Sequence, residues 1–346
     1  MTESLITSGP TIGNELRPVR FLWWNVHDFA HYEESKRRLK GWPKTPAAYE
    51  EKRSRIRAVL DAANAKYGKI DVIALCELTR VAATELRDLA LPEYRILSLD
   101  NIPKNPDFHV AILYPPTLDY ERAGLFAAVG VPPSTRPMAL LDFYTDGHRI
   151  RFVAAHWTAQ FDENSEKYQE KLADQLRGYI YDFLLEAGES GNRHVVVLGD
   201  LNAEPFHKVM RRDFSATRSR ARATTTPHRA DKAVRRLHLY DCSWRMLGES
   251  TPHGSTPDAR SVAGTFYWEN KNTWHTLDHV IVTGSLLGKE PPYLLESALE
   301  IFSEGSLLDD DGLPRKFSWN DGKAMGISDH LPIVGTIMVK RQTENL

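Results

Sequence analysis

Nine short runs rich in Val, Ile, Leu and aromatic residues recur along the chain: Arg20–Trp24, Asp71–Cys76, Tyr94–Leu99, His109–Tyr114, Met138–Tyr144, Ile150–Ala155, His194–Gly199, Leu277–Val282 and Ile333–Val339. Runs of this length and composition read as β-strands. Two longer stretches carry helical spacing instead. One opens with Thr45 as N-cap and Pro46 at the first helical position, then repeats Tyr49, Ile56, Val59, Leu60 and Ala63. The other presents Tyr168, Leu172, Leu176, Tyr179, Ile180, Phe183 and Leu184 as one apolar stripe and ends at Gly188. Strands outnumber helices and often follow one another directly, so layered sheets with helices outside are expected. The chain shows no internal sequence repeat and no long Pro/Gly/Ser linker, and its 346 residues suit one large domain or two ordinary ones.

Hydrophobic residues make up 42% of the chain and charged residues 26%, which excludes a mostly disordered chain, a collagen and a disulfide scaffold. The apolar runs fall far below the roughly 18 residues of a membrane span, so no membrane partner is expected. Met1–Glu15 lacks a basic segment followed by an apolar one, and the chain holds two cysteines, Cys76 and Cys242. A reduced, cytoplasmic protein is the simpler expectation, with residues 1–18 as a flexible extension. The net charge is only −2, but it is unevenly spread. Residues 207–236 carry ten Lys/Arg against two acids, a local charge of +8, which leaves −10 for the remainder. A second basic cluster spans Lys36–Arg57, and residues 303–322 read as an acidic, Gly-containing loop.

Polar residues fall at the ends of the strands. Asn25 ends the first run, Glu77 the second and His156 the run Ile150–Ala155; Asp200 and Asn202 follow His194–Gly199. Asp278 opens another run, and Asp329 and His330 precede Ile333–Val339. Taken singly, an Asp or Asn at a strand end is usually a turn former or a cap. As an ordered set, such residues can converge on one rim of a sheet structure. Hard oxygen ligands without a Cys/His cluster suit Mg2+, Mn2+ or Ca2+ rather than zinc.

Five segments carry a resemblance: Trp24-Asn25-Val26, Ile73-Ala74-Leu75-Cys76-Glu77, Leu198-Gly199-Asp200-Leu201-Asn202-Ala203, Leu277-Asp278-His279-Val280 and Ser328-Asp329-His330-Leu331-Pro332. In this order the set resembles the endonuclease/exonuclease/phosphatase superfamily of DNase I-like, metal-dependent phosphodiesterases. Arg136-Pro137 and Gly264-Thr265-Phe266 are similar to further family features. The resemblance implies a four-layer α/β/β/α sandwich, with two stacked, mostly antiparallel sheets flanked by helices, in a single domain over residues 19–341.

Position by position, it also implies roles. Asn25, Glu77 and Asp329 would ligate Mg2+, with Mn2+ as a substitute, and the cation would neutralise charge on the phosphate and its departing oxygen. Asp200, held by Asn202, would orient or deprotonate the attacking water. His330 would hydrogen-bond the phosphate oxygens, its tautomer set by Asp278, and His156 would be a second donor or the acid for the leaving group. Three departures from the family pattern stand out: Cys76 where Gln is usual, His27 and Asp28 after the first Asn, and Trp157-Thr158-Ala159 after His156.

Fold does not choose the phosphoester. The basic segment, beginning five residues after Asn202, favours nucleic acid. Arg218, Arg220 and Arg222, with Arg136, would contact backbone phosphates. The alternative for that segment is a solvated loop. Tyr267, Trp268 and Trp274 would either stack on bases or pack the sheet edge. The expected activity is a DNA endonuclease leaving a 5′-phosphate and a 3′-hydroxyl, the alternative a phosphatase or phosphodiesterase for a small or lipid-linked phosphate.

Overall fold

The computed structural model describes residues 16–37, 43–97, 109–117, 119–132, 135–159, 163–225, 237–248 and 262–341. Residues 1–15, the end of the third apolar run at 98–99 and the later basic segment, 226–236, lie outside them.

Two strand–helix–strand units organise the molecule. In the first, β1 (Leu16–Phe29) and β2 (Val72–Leu78) run parallel, connected through the short α1 (Tyr32–Arg37) and the long α2 (Pro46–Tyr67). The N-terminus of α2 forms as the sequence implies: Thr45 accepts from the Ala48 amide at 3.2 Å and Pro46 follows it. In the second unit, β7 (His148–His156) and β8 (Arg193–Asp200) run parallel, connected through α4 (Glu163–Leu185).

Antiparallel neighbours extend each pair. The first sheet adds β18 (Ile333–Lys340) beside β1 and β4 (His109–Tyr114) beside β2, with β3 (Arg95–Leu97), β14 (Tyr293–Leu294) and β15 (Glu300–Ile301) at its margins. The second runs β5 (Tyr120–Phe126), β6 (Met138–Thr145), β7, β8, β13 (Asp278–Thr283), β10 (Leu239–Asp241), β9 (Ala216–Thr217). Two small ribbons, β11 (Phe266–Trp268) with β12 (Thr273–His275) and β16 (Ser318–Asn320) with β17 (Lys323–Met325), complete the described strands.

Alternation along the strands separates three buried layers. Phe21 and Trp23 point between the sheets, where they share a core with Phe152, Ala154, Val196 and Val280; the Phe21 and Phe152 rings lie 6.2 Å apart. Leu22 and Trp24 point the other way, against α2 and α3 (Arg80–Ala90). Val153, Val195 and Val197 face α4. The result is the expected α/β/β/α sandwich with mostly antiparallel sheets. Both cysteines are free and buried. Among the described residues no helix is long and apolar enough to cross a membrane.

Some elements exceed the sequence reading. Helix α3 buries only Ala82, Ala83 and Leu86, too small a stripe to stand out. Strand β5 lies at a sheet edge, buries Tyr120 alone and exposes Glu121 and Arg122, so it lacks an apolar pattern. Within the expected loop 303–322, β16 pairs with β17 although its residues are half-buried or exposed.

Strand direction sets where the site lies. β1, β2, β7 and β8 end at one edge of the sandwich. β18 and β13, antiparallel to β1 and β8, begin there, so Asp278 faces Asp200 across β13 and β8. Gly199 is required on this approach, since a Cβ there would meet the Ala155 carbonyl oxygen at 2.7 Å.

Candidate active site

The rim is built at backbone positions that few side chains tolerate. His27, Asp28, Glu77 and Asn202 all have positive φ, 49°, 46°, 59° and 50°. The pairing of β1 with β2 is irregular after Asn25, and that of β2 with β4 after Cys76. Each such residue costs on the order of 1–3 kcal/mol, held by the packing around it. The distortion turns Glu77 back over the end of β2, where its carboxylate accepts from Asn25 Nδ2 at 3.2 Å and from the Asp28 amide at 3.1 Å.

Asn25 joins the two walls, because its Nδ2 also donates to Asp200 Oδ2 at 3.0 Å. Asp200 receives a second bond, from the Asn202 amide at 3.0 Å, while Asn202 Nδ2 donates to the Trp157 carbonyl at 2.9 Å. His156 Nε2 stands 3.6 Å from Glu77 and 3.8 Å from Asp200, and its Nδ1 is buried without a partner. His330 pairs with Asp278 at 2.8 Å through Nδ1, and its Nε2 points to Asp200 at 3.8 Å. Asp278 is locked in turn by Trp23 Nε1 at 2.8 Å and by its own amide on Thr265 Oγ1 at 3.1 Å. Gly264, just before Thr265, leaves room for the His275 carbonyl oxygen, which a Cβ would meet at 2.4 Å.

Charge follows burial and neighbours. Burial lifts Asp200 to about 7, with Asp278 and Glu77 repelling its charge and His330 and the Asn25 bond opposing the rise. Burial disfavours the imidazolium of His330, yet Asp278 and Asp200 outweigh it and raise His330 to about 10. His156 is driven to about 3 by burial and by the charge of Arg136, so it is neutral near pH 7. Burial alone would raise Glu77, but the neighbouring imidazoles of His156, His27 and His330 and the Arg136 guanidinium hold it below its usual value.

Asp329 sits beside this group. Its Oδ1 lies 3.9 Å from His27 Nε2 and has no hydrogen bond although buried, while its Oδ2 meets Lys316 at 3.3 Å. A buried carboxylate oxygen without a donor is costly, and a cation would relieve it. The ligand atoms of His27, Asp28 and Glu77 lie within 4.8 Å of one another. Oxygen-rich donors and an orphaned carboxylate oxygen fit a hard divalent cation.

The structure thus brings together Asn25, Glu77, His156, Asp200, Asn202, Asp278, Asp329 and His330, with Arg136 near enough for its charge to act on Glu77 and His156. It does not bring Arg218, Arg220 or Arg222 to the rim. Arg220 donates to the Leu287 carbonyl at 2.8 Å and pairs with Glu296, while Arg218 lies 5.0 Å over the Trp244 ring. Arg222 lines a separate groove with Arg218. Tyr267 and Trp274 pack against each other, their ring centroids 5.3 Å apart, and only Trp268 of the three aromatics is exposed.

Sequence reasoning gave no role to three residues here. His27 and Asp28 stood out only as departures from a pattern. Lys52 is fully buried, donates to the His27 carbonyl, lies near the rings of Phe29 and Phe317, and is lowered to about 8 by burial against the attraction of Asp28, Glu77 and Asp329. Its signal was position: Lys52 sits between Tyr49 and Ile56 on the apolar stripe of α2, where a lysine has no reason to be unless its charge is met inside.

A family model described as the Endonuclease/Exonuclease/phosphatase family matches residues 22–330. The chain belongs to that family. Its fold is DNase I-like, and the family consists of metal-dependent hydrolases of phosphoester bonds. Similar solved structures include an endonuclease/exonuclease/phosphatase family protein from Bacteroides thetaiotaomicron, at 15% identity and TM-score 0.55, covering 96% of this chain and 99% of that one. Truncated TDP2 from Caenorhabditis elegans matches at 13% identity and TM-score 0.53, covering 92% and 97%. The mannosyl-6-phosphatase Bt3783 of B. thetaiotaomicron matches at 14% and 0.54, covering 92% and 99%. No curated protein sequence matches the chain. At these identities the likeness shows the fold, and both the match and the five motifs span nearly the whole described sandwich.

Proposed function

We propose that this member of the Endonuclease/Exonuclease/phosphatase family hydrolyses phosphodiester bonds of DNA, leaving a 5′-phosphate and a 3′-hydroxyl. The observation that carries the hydrolytic reading is the pairing of Asp200, poised near neutrality, with an imidazolium at His330 locked by Asp278. Asp200 accepts the proton of the attacking water, oriented by the Asn25 and Asn202 bonds it receives. His330 presents Nε2–H toward the phosphate oxygens, where negative charge gathers in the transition state. His156, neutral and with Nε2 beside Glu77 and Asp200, donates to the phosphate or to the leaving oxygen. Arg136 contributes positive charge beside Glu77 and His156.

Asn25, Glu77 and Asp329 would hold Mg2+ or Mn2+, with Asp28 and His27 beside them. Such a cation supplies Lewis-acid stabilisation of the phosphate and its leaving oxygen. The similar structures, a TDP2 and a mannosyl-6-phosphatase, do not choose between polymer and small substrate. A nucleic acid is favoured over a small ester by the basic segment that starts just past Asn202.

The test is a panel of plasmid, single-stranded DNA, RNA, bis(p-nitrophenyl) phosphate and phosphomonoesters, each with Mg2+, Mn2+ or EDTA. Metal-dependent cleavage of DNA well above the monoesters is expected. Turnover confined to phosphomonoesters would overturn the reading.

A further inference from the structure

Away from the rim, the described part of the basic segment closes a groove of about 750 Å3 between the π-helical turn Val209–Asp213, β9, α5 (Arg220–Ala223) and the turn Cys242–Met246. Arg211, Arg218, Arg222, Phe206, His238 and Trp244 are among the side chains that line it, and no carboxylate does among the described residues. Two further lining cations are already answered: Lys208 pairs with Glu166 and Glu170, and Arg212 with Glu170 and Asp213. Arg211, Arg218 and Arg222 have no carboxylate within ion-pair distance among the described residues. The Arg218 guanidinium lies over the Trp244 ring, and the indole Nε1–H of Trp244 is buried without an acceptor. Burial and then the charge of Arg222 hold His238 below its usual value.

Three unanswered guanidiniums in one concave surface repel one another and focus positive potential where a polyanion would lower it. The planar fork of a guanidinium meets two phosphate oxygens at once. The sheet register gives the groove's place relative to the rim. Thr217 pairs with Tyr240, which pairs with Val282, four residues along β13 from Asp278. At about 3.4 Å per residue and about 4.8 Å per strand spacing, the groove floor lies roughly 17 Å from Asp278. Duplex DNA advances about 3.4 Å per nucleotide, so the separation spans about five nucleotides. Phe206, exposed and four residues past Asn202, is among the residues that line the groove.

We propose that this groove is a second phosphate-binding site, holding the DNA backbone about five nucleotides from the bond cut at the rim. It rests on the reading of the rim as a phosphodiesterase centre, and it refines the arginine set: Arg211 joins Arg218 and Arg222, whereas Arg220 is committed to Glu296 and the Leu287 carbonyl.

The experiment measures binding of the full chain to a 24-bp duplex in EDTA across a salt series, for wild type, an Arg211→Ala/Arg218→Ala/Arg222→Ala variant and the corresponding triple Arg→Lys variant. Three lost contacts should flatten the slope of log K against log salt by about 2 to 3 and weaken binding at 0.1 M salt on the order of a hundredfold. The lysine variant should keep most of the slope, separating charge from folding. Hydrolysis of bis(p-nitrophenyl) phosphate, which cannot reach the groove, should be unchanged in both variants. An alanine variant with wild-type slope and affinity overturns the groove, and continued diester hydrolysis then leaves the rim reading standing. A wild-type protein that cleaves no phosphodiester, yet loses duplex binding on replacement, upholds the groove and rejects the rim reading.

Discussion

The units β1–α2–β2 and β7–α4–β8 build opposite walls of the rim with one backbone device and two chemistries. In each, a buried side chain six residues after the helix's first residue donates to a carbonyl two residues past the end of the first strand's site residue. Lys52 reaches the His27 carbonyl, beyond Asn25; Gln169 Nε2 reaches the Thr158 carbonyl at 2.6 Å, beyond His156. Both side chains are fully buried. Both are buried on their helices, and both pin the backbone just past a rim residue: the end of β1 at His27 and the segment after β7 at Thr158. The difference lies in charge. Lys52 is surrounded by Asp28, Glu77 and Asp329, whose attraction supports a buried ammonium. Gln169 meets backbone carbonyls, its second contact being Leu201 O at 3.4 Å, beside a neutral His156. Topology therefore supplies a hydrogen bond at this point, and the electrostatics of each wall decides whether the donor carries charge.

The largest expected effect separates the walls by their chemistry. Glu77→Gln and Asp200→Asn should each lower kcat by roughly 10²–10⁴, the range for a lost acid–base or charge-bearing group. Turnover of the Glu77→Gln protein should recover in part at high Mg2+ or with Mn2+, because its defect is cation affinity. That of Asp200→Asn should not. Equal recovery of both, measured as kcat against metal concentration, would break the division between a metal wall and a water wall.

A middle-sized effect tests the paired donors. Lys52→Met and Gln169→Met each leave a buried carbonyl without its donor and should cost about 1–3 kcal/mol in denaturant unfolding. Lys52→Gln, which copies the other wall, should keep most of that stability. It should also tighten Mn2+ binding several-fold by calorimetry, since a positive neighbour of the site is gone. Gln169→Met should leave metal affinity unchanged. If Lys52→Gln binds metal no differently from wild type, the charge of Lys52 has no part in the contrast.

The smallest effect lies at the opposite edge. There the second sheet buries His194, which touches His148 at 2.9 Å and Ser285 at 2.8 Å. Burial, aided by His148, lowers His194 to about 3. The unfolded chain therefore binds this proton first as pH falls below about 6.5. Stability from the neutral ring is complete above that value and is lost progressively toward about 3, by at most about 1.4 kcal/mol per pH unit. Urea unfolding at pH 7.5 and 5.5 should show wild type losing on the order of 1 kcal/mol more than His194→Gln. An identical loss in the two proteins would remove this histidine from the account.

Much of this was legible in the residues. Each of the nine apolar runs overlaps a strand, because buried strands must carry their apolar pattern locally. The eight rim residues were legible through motifs at strand ends. Elements such as β5 and α3 were not, since an edge strand and a small-residue helix bury too little to leave a pattern. The likeness of the two strand–helix–strand units was also invisible, as it lies in pairing and hydrogen bonds while the side chains differ.

Composition, strand periodicity and the motifs Gly199-Asp200-Leu201-Asn202 and Ser328-Asp329-His330 determined the layered class and which residues stand at the rim, because both depend on which residues stand where along the chain. Tertiary structure alone decided the charge states and the partners. Asp200 and Asp278 are both aspartates at strand ends, yet one is lifted toward neutrality and the other clamps an imidazolium. Arg220 and Arg222 are two residues apart, yet one is tied to Glu296 and the other faces an open groove. Burial and the approach of groups distant in sequence set those outcomes, and neither is written in the local order of residues.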